Sequence, residues 1–254
     1  MKSKIIGESV QGNIEDAMGK QTARKLAWRI LLLSAVFAAA GSAQAADVKS
    51  PYPGMAPLDQ YLMMDREAEI SLARGAAPAA IAEHATVLVL ARKGYETAVA
   101  GSNGFTCLVE RGWMSPPDSP DFWNPKLRGP VCYNPPATRS ILPYTIKTTD
   151  LALARLSIAQ INQRIHALTA SKELPMPEPG AMSYMLSKDG YLGDGIGHWH
   201  PHLMFHLPIT DAASWGANLP GSPVVMDTRE LPSPQTIFFV PVGKWSDGTP
   251  ADAH

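Results

Sequence analysis

Hydrophobic and polar positions alternate most regularly over residues 198–207 of this 254-residue chain. Successive side chains of a β-strand point to opposite faces, so this alternation predicts a half-buried strand. One face would pack against the core and the other would present imidazole rings. The apolar positions are Trp199, Pro201, Leu203, Phe205 and Leu207, and the alternate set is His198, His200, His202, Met204 and His206.

Further strands are predicted elsewhere in the chain. Residues 86–92, 95–100 and 105–111 are rich in β-branched and apolar types, and Gly101 to Gly104 has the composition of a hairpin turn. We therefore expect these three segments to form an antiparallel meander. Similar patterns predict strands over residues 181–187, 224–227 and 236–242.

Helical periodicity occurs in two places. Residues 58–74 predict an amphipathic helix whose charged residues, including Glu69, face solvent. Residues 138–171 are also helical in pattern, and Ser157 and Gln160 have the spacing of a capping box. Strands before and after a helical block predict an α+β fold. We expect a mainly antiparallel sheet of about six or seven strands with helices covering one face.

Two features between these segments have open interpretations. Residues 113–136 are rich in proline and aromatic residues, which is typical of a packed segment. It would form either a lid over a pocket or a cover for one sheet edge. Glu110 lies near the end of the preceding strand, where it would act as an acid, base or ligand carboxylate, or pair with a surface arginine.

The N-terminal 45 residues have the organisation of a secretory signal peptide. Basic residues precede a short apolar run, which leads to Ala43-Gln44-Ala45. Cleavage after Ala45 would leave residues 46–254 as a single mature domain in the periplasm or outside the cell. The alternative is an uncleaved N-terminal anchor. Met18 would begin a signal of ordinary length, so it is a candidate for the true start.

Charge and cysteine content narrow the function classes. Of 22 basic and 23 acidic residues, six and three lie in residues 1–45, which leaves 16 and 20 in the rest. The absence of a basic excess argues against nucleic-acid binding, and no later segment is long and apolar enough for stable membrane insertion after signal cleavage. Cys107 and Cys132 are expected to form a disulfide in an oxidising compartment. The alternative is two separately buried thiols.

The predicted histidine strand carries the candidate chemistry. Alternate residues on one strand face are about 6.6 Å apart, close enough for two imidazoles to share an ion. We therefore predict that His198, His200, His202 and His206 form a metal site. His206 lies about 13 Å from His202 on a straight strand, so a further ligand must come from elsewhere. The candidates are Asp189, Asp194, Glu110 and His84.

Zinc is the first choice of metal because imidazole suits it and an open coordination position would activate water. Copper is the second choice because Met204 lies between two of the histidines. His-x-His strands also occur in cupins and α-type carbonic anhydrases, but no further motif of either family is present in the sequence.

Two functions are consistent with these patterns. The first is an exported metal-dependent hydrolase, with Trp199, Phe205 and Trp215 in the walls of its site. The second is a non-catalytic protein that binds a metal or a small-molecule ligand, or a structural domain without a metal. No nucleophile elbow, phosphate loop or His-Glu-x-x-His motif favours another reaction. Whether the protein is an enzyme is left open by the sequence.

Overall fold

An open, mostly antiparallel sheet forms the framework of the protein. The computed structural model describes residues 50–198, 200–227, 231–233 and 235–251. Over these residues, eight strands occur in the spatial order β2-β1-β3-β4-β5-β6-β8-β7. The strands are β1 (Thr86–Ala91), β2 (Gly94–Val99), β3 (Thr106–Glu110), β4 (Gly129–Tyr133), β5 (Met182–Met185), β6 (His202–Pro208), β7 (Val225–Met226) and β8 (Gln235–Pro241).

Five α-helices accompany the sheet in the described ranges. They are α1 (Arg66–Arg74), α2 (Ala79–Ala82), α3 (Pro135–Ser140), α4 (Leu142–Leu153) and α5 (Ile158–Ala170). The predicted capping box is confirmed: the Ser157 side chain accepts from the backbone of Gln160, whose side chain accepts from the backbone of Ser157. Asp65 caps α1 in a similar way by accepting from two backbone amides.

The helices lie on both faces of the sheet. α1 and α2 pack on the face that carries Val87, Val89 and Cys107. Residues of α3 and α4 pack on the opposite face, against Leu88 and Leu108. The α+β prediction is confirmed, but the expected one-sided cover is wrong, and the sheet has one strand more than the upper expectation. Both faces of β1 and β3 are apolar, so both need a covering layer.

The predicted three-stranded meander is wrong in its order. β1 and β2 form an antiparallel hairpin, but β3 pairs with the other edge of β1 and runs parallel to it. The chain therefore crosses the start of β1 between β2 and β3. Gly101 makes this crossing possible, since a Cβ atom there would lie 2.1 Å from the backbone nitrogen of Thr86. The sequence predicts a hairpin turn at Gly101, whereas in the structure this glycine allows the chain to pass close to the backbone of Thr86.

A disulfide joins the neighbouring strands β3 and β4. β3 and β4 are antiparallel, and Cys107 lies directly opposite Cys132 in the ladder. The two sulfur atoms are bonded, as predicted, and both residues are fully buried under α1. β4 lies inside the proline-rich segment, so part of that segment belongs to the sheet itself. The bond is compatible with an exported protein.

A buried ion pair ties α1 to the end of β3. The Arg111 guanidinium donates to the Glu69 carboxylate over 2.8 Å, and both side chains are at most 1% exposed. Arg111 also donates to the carbonyls of Tyr61 and Val109, and the Leu90 amide donates to Glu69. The sequence pattern had placed Glu69 on a solvent-facing surface. Its partners come from distant parts of the chain, so helical periodicity alone could not find them.

The predicted signal peptide and its cleavage site lie outside the described residues, as does the proposed start at Met18. Among the helices of the described part, none is long and apolar enough to cross a membrane.

Candidate ligand-binding cavity

Side chains of β6 alternate between the two faces of the sheet, as the pattern predicts. We expected the apolar face to be the buried one, but the face that carries the histidines is more buried. His202, Met204 and His206 are buried, whereas the alternate residues Leu203 and Phe205 are only half-buried. The imidazole face therefore points into the protein. Strand β5 pairs with β6 on one side and β8 pairs with it on the other, so β6 is an internal strand of the sheet.

Only two of the four predicted histidine ligands belong to this strand. β6 begins at His202, because its neighbour β5 ends at Met185, which is paired with that residue. His198 is exposed and His200 is half-buried, and neither lines the cavity described below. The preceding glycines form a turn closed by the bond from the Leu192 amide to the Gly197 carbonyl. The strict alternation over residues 198–207 thus extends beyond the strand.

A cavity of about 1140 Å³ lies against the imidazole face. Its floor is formed by β3 to β6 and β8, and its walls come from α4, α5 and the segment that follows β6. Most of its lining side chains are apolar. Representative lining residues are Ile141, Met185, Met204, Ile237 and Phe239. The proline-rich segment contributes Met114, Ser115, Pro116 and Leu127 to one wall.

The aromatic residues expected in the walls lie on the other side of the sheet. Trp215 stacks on Phe238 with ring centroids 4.6 Å apart and also contacts Phe205. Phe205 is paired with Phe238 across the β6–β8 ladder, so both point away from the cavity. Phe205 and Trp215 therefore do not line this cavity. Trp199 lies outside the described residues.

His202 is a neutral hydrogen-bonding group in the cavity wall. Its Nδ1 lies 2.7 Å from the His200 carbonyl oxygen. A carbonyl can only accept, so Nδ1 carries the proton and Nε2 is the acceptor nitrogen of the ring. Burial lowers the pKa of His202 to about 4. The ring is therefore uncharged near neutral pH.

His206 lies four residues after His202 on β6, and its side chain is positioned by the neighbouring strand β5. Its Nε2 is 2.9 Å from Oγ of Ser183 on β5. Within the described residues, Nδ1 of His206 and Oε1 of Gln235 are buried without a hydrogen-bond partner. Burial lowers the pKa of His206 to about 4, and the nearby Gln235 amide offsets only part of this shift. His206 and Gln235 are thus neighbouring polar side chains of the cavity lining.

Glu110, on β3, provides a third polar group in the cavity floor, away from the two histidines on β6. Tyr133 donates to its Oε1 over 2.5 Å, and the Tyr133 oxygen also lies 2.9 Å from Oγ1 of Thr145 on α4. Burial raises the pKa of Glu110 to about 7, although the bond from Tyr133 works in the other direction. The carboxyl group is thus close to half-ionised near neutral pH. It forms no ion pair with any described arginine.

Sequence reasoning selected Glu110, His202 and His206 but missed the groups that organise them. Tyr133 and Thr145 lie on separate elements and carry no motif. Tyr133 does share a strand face with Val131, and this face was hidden because residues 113–136 were interpreted as a single segment of irregular structure. Ser183 and Gln235 were missed because only strand pairing brings them close to His206.

The further metal-ligand candidates are dispersed. Asp194 accepts hydrogen bonds from Tyr52 and Tyr191 at the surface, and Asp189 and His84 are exposed. Among the described residues, no group of three or more His, Cys, Asp or Glu side chains is placed to hold a metal ion. The zinc or copper site built on His198, His200, His202 and His206 stays a prediction.

Comparison of the chain with known protein families, curated proteins and solved structures found no match. The functional interpretation therefore depends on the cavity and on the chemistry of its walls.

Proposed function

We propose that this protein binds a lipophilic small molecule in the cavity between β6 and α4. The observation that carries the proposal is the cavity itself, about 1140 Å³ in volume and lined mainly by apolar side chains. Sites for small molecules commonly measure about 300 to 1000 Å³ and combine apolar walls with a few placed polar groups. This cavity has that composition and slightly exceeds the size range.

The polar groups are suited to orient a ligand. His202, His206 and Glu110 are neutral or partly neutral near pH 7, so an apolar molecule can approach them without stripping water from a permanent charge. Each is held in place by a second residue, namely the His200 carbonyl, Ser183 and Tyr133. Apolar burial would supply affinity at about 25 cal/mol per Å², and the polar groups would select among ligands.

The neutral dye N-phenyl-1-naphthylamine tests the proposal, because its fluorescence rises in apolar surroundings. We expect saturable binding of one dye molecule per chain. Met204→Trp places a large ring inside the cavity and should weaken dye binding about tenfold or more, equivalent to about 1.4 kcal/mol.

The matched control is Leu203→Trp, one residue earlier on the same strand. Leu203 points to the opposite face and is only half-buried. This variant should bind the dye as the original protein does. Absence of saturable binding, or equal loss in both variants, would rule out the cavity as the binding site.

We also propose that the protein acts in the periplasm or outside the cell, after cleavage of residues 1–45. The Cys107–Cys132 bond supports this placement, because disulfides persist in oxidising compartments. N-terminal sequencing of the protein from extracytoplasmic fractions tests it. A mature chain beginning at Ala46 is expected, whereas an intact residue 1–45 segment would contradict it.

A metal-dependent hydrolase is the second candidate, favoured by the presence of His202 and His206 in one cavity wall. Zinc would be the first choice and copper the second. Metal analysis of mature protein purified without a His tag tests this function. A tightly held ion that is lost when His202 and His206 are both changed to Ala would support it. No bound ion after addition of zinc or copper would remove it.

A further inference from the structure

The described lining of the cavity has a carboxyl group in its floor, at Glu110, and a lysine only at an exposed position. Among its described lining residues, Lys172 is the one lysine or arginine, and its side chain belongs to an exposed residue after α5. Glu110 also lines the cavity. A ligand with a carboxylate would therefore meet the like charge of Glu110, and among the described lining residues the exposed Lys172 is the only lysine or arginine that could pair with it. This distribution disfavours anionic amphiphiles such as fatty acids.

The Glu110 carboxyl group is held in one orientation and lines the cavity. Its Oε1 is fixed by Tyr133, which in turn is positioned by Thr145, so the carboxyl group cannot rotate freely. Within the described residues its second oxygen has no hydrogen bond, and the side chain lines the cavity. A carboxylate in an apolar wall without a cation is costly. A cation brought by the ligand would remove that cost and would gain from the low local dielectric.

We infer that the ligand is a lipophilic amine whose ammonium group pairs with Glu110 while its hydrocarbon part fills the apolar cavity. This inference rests on the proposed binding function and specifies its ligand class. The charged form of an amine offers N–H donors to the unoccupied carboxylate oxygen. An alcohol of the same length would gain the apolar contacts and only a neutral hydrogen bond.

The guanidinium groups of Arg111 and Arg128 lie near Tyr95, and three tyrosines are close to Glu110 itself. Tyr133 lies on β4, Tyr95 on β2 and Tyr144 on α4, and each is electrostatically coupled to the carboxyl group. Burial raises the pKa of Tyr144 to about 12, and it raises the pKa values of Tyr95 and Tyr133 above their ordinary range. All three stay neutral at physiological pH. The three tyrosines therefore add no charge beside Glu110 near pH 7.

Displacement of N-phenyl-1-naphthylamine by three ligands of equal chain length tests the inference. The ligands are dodecylamine, dodecanol and dodecanoate; the amine and the carboxylate are used below their micelle concentrations and the alcohol below its solubility limit. At about pH 8, where Glu110 is mostly ionised, we expect dodecylamine to bind about tenfold more tightly than dodecanol, with dodecanoate weakest. In Glu110→Gln the advantage of the amine over the alcohol should fall to about twofold or less.

The exposed Glu83 provides the matched control, since Glu83→Gln makes the same chemical change far from the cavity lining. It should keep the preference of the original protein. Dodecanol binding should be similar in all three proteins, which shows that the cavity of the Glu110→Gln variant is intact.

The pH dependence of amine binding offers a second measurement. An alkylammonium remains protonated up to about pH 10, so a change in its affinity between about pH 5 and pH 8 reports on groups of the protein. His166 also lines the cavity, so only the part of the dependence that is lost in Glu110→Gln is assigned to Glu110. Amine affinity should fall up to about tenfold per pH unit below pH 7, whereas dodecanol affinity should stay constant.

Dodecylamine binding no better than dodecanol, or a preference for dodecanoate, would overturn the amine inference while leaving the cavity proposal standing. An amine preference that survives in Glu110→Gln would overturn the role of Glu110. Failure of the dye itself to bind would instead contradict the proposed function.

Discussion

At the scale of single residues, a carboxyl group in an apolar wall makes folding stability depend on pH. Burial raises the pKa of Glu110 from 4.5 to about 7 in the folded protein. The folded state therefore holds this proton more tightly than the unfolded chain does. The resulting stabilisation is fully present below about pH 4.5 and is lost as pH rises through about 7.

We expect Glu110→Gln to remove this loss. Between about pH 5 and pH 8, the free energy of unfolding of the original protein should decrease relative to that of Glu110→Gln by about 2 to 3 kcal/mol. Urea denaturation at a series of pH values measures the difference. Glu83→Gln is the exposed control and should follow the original protein. Parallel curves for the original protein and Glu110→Gln would show that the carboxyl group is not perturbed by burial.

The sequence predicted some of the polar residues of the cavity but not their protonation states. The alternation of histidines identified two groups in the cavity wall, and Glu110 was one of the carboxylates selected. Their protonation could not be inferred, because burial sets the lowered histidine pKa values and the raised glutamate pKa. Glu69 shows the same limit, since its partner Arg111 lies 42 residues away in the chain.

At the scale of elements, the crossing from β2 to β3 depends on one glycine. Gly101 is exposed, yet a Cβ atom there would lie 2.1 Å from the Thr86 nitrogen and 2.3 Å from the Ala85 carbonyl carbon. These are backbone atoms, so they cannot move aside as a flexible side chain can. Gly101→Ala should force the crossing away from β1 and weaken the parallel pairing of β1 with β3.

We expect Gly101→Ala to lower the free energy of unfolding by about 2 to 3 kcal/mol, as overpacking does. Thermal or urea denaturation provides the measurement. Gly54→Ala is the control, because an added Cβ there meets nothing within 4 Å. It should change stability by less than about 0.5 kcal/mol. Similar stabilities for the two variants would contradict the close approach at Gly101.

Element types were more predictable than their arrangement. The capping box at Ser157 and the strands rich in β-branched residues carry local signals that persist in the fold. The start of β6 carries no such signal, because strand pairing with β5 decides it. For the same reason, only the second part of the ten-residue pattern over 198–207 belongs to the strand, which covers the seven residues His202–Pro208.

At the scale of the whole molecule, the sheet and its helices enclose a space that a ligand would stabilise. A molecule that binds only the folded state raises the free energy of unfolding by about 2.7 kcal/mol at about 100 times its dissociation constant. We expect dodecanol at that concentration to stabilise the original protein and Leu203→Trp to this extent. Met204→Trp should gain much less, since its indole occupies the same space.

Thermal denaturation with and without dodecanol measures this linkage. The comparison separates cavity binding from adsorption on exposed apolar side chains, which would affect both tryptophan variants alike. Equal stabilisation of Met204→Trp and Leu203→Trp would therefore contradict binding in the cavity.

The sequence by itself determined the α+β class, most strand and helix positions, the pairing of Cys107 with Cys132 and the two-faced character of the histidine strand. These features follow from local periodicity, capping chemistry and an even cysteine count, all of which act within short stretches of chain. Only the tertiary structure decided which face of β6 is buried, the strand order and the cavity between the sheet and α4. Those outcomes depend on contacts between residues far apart in sequence, where no local pattern specifies the partner.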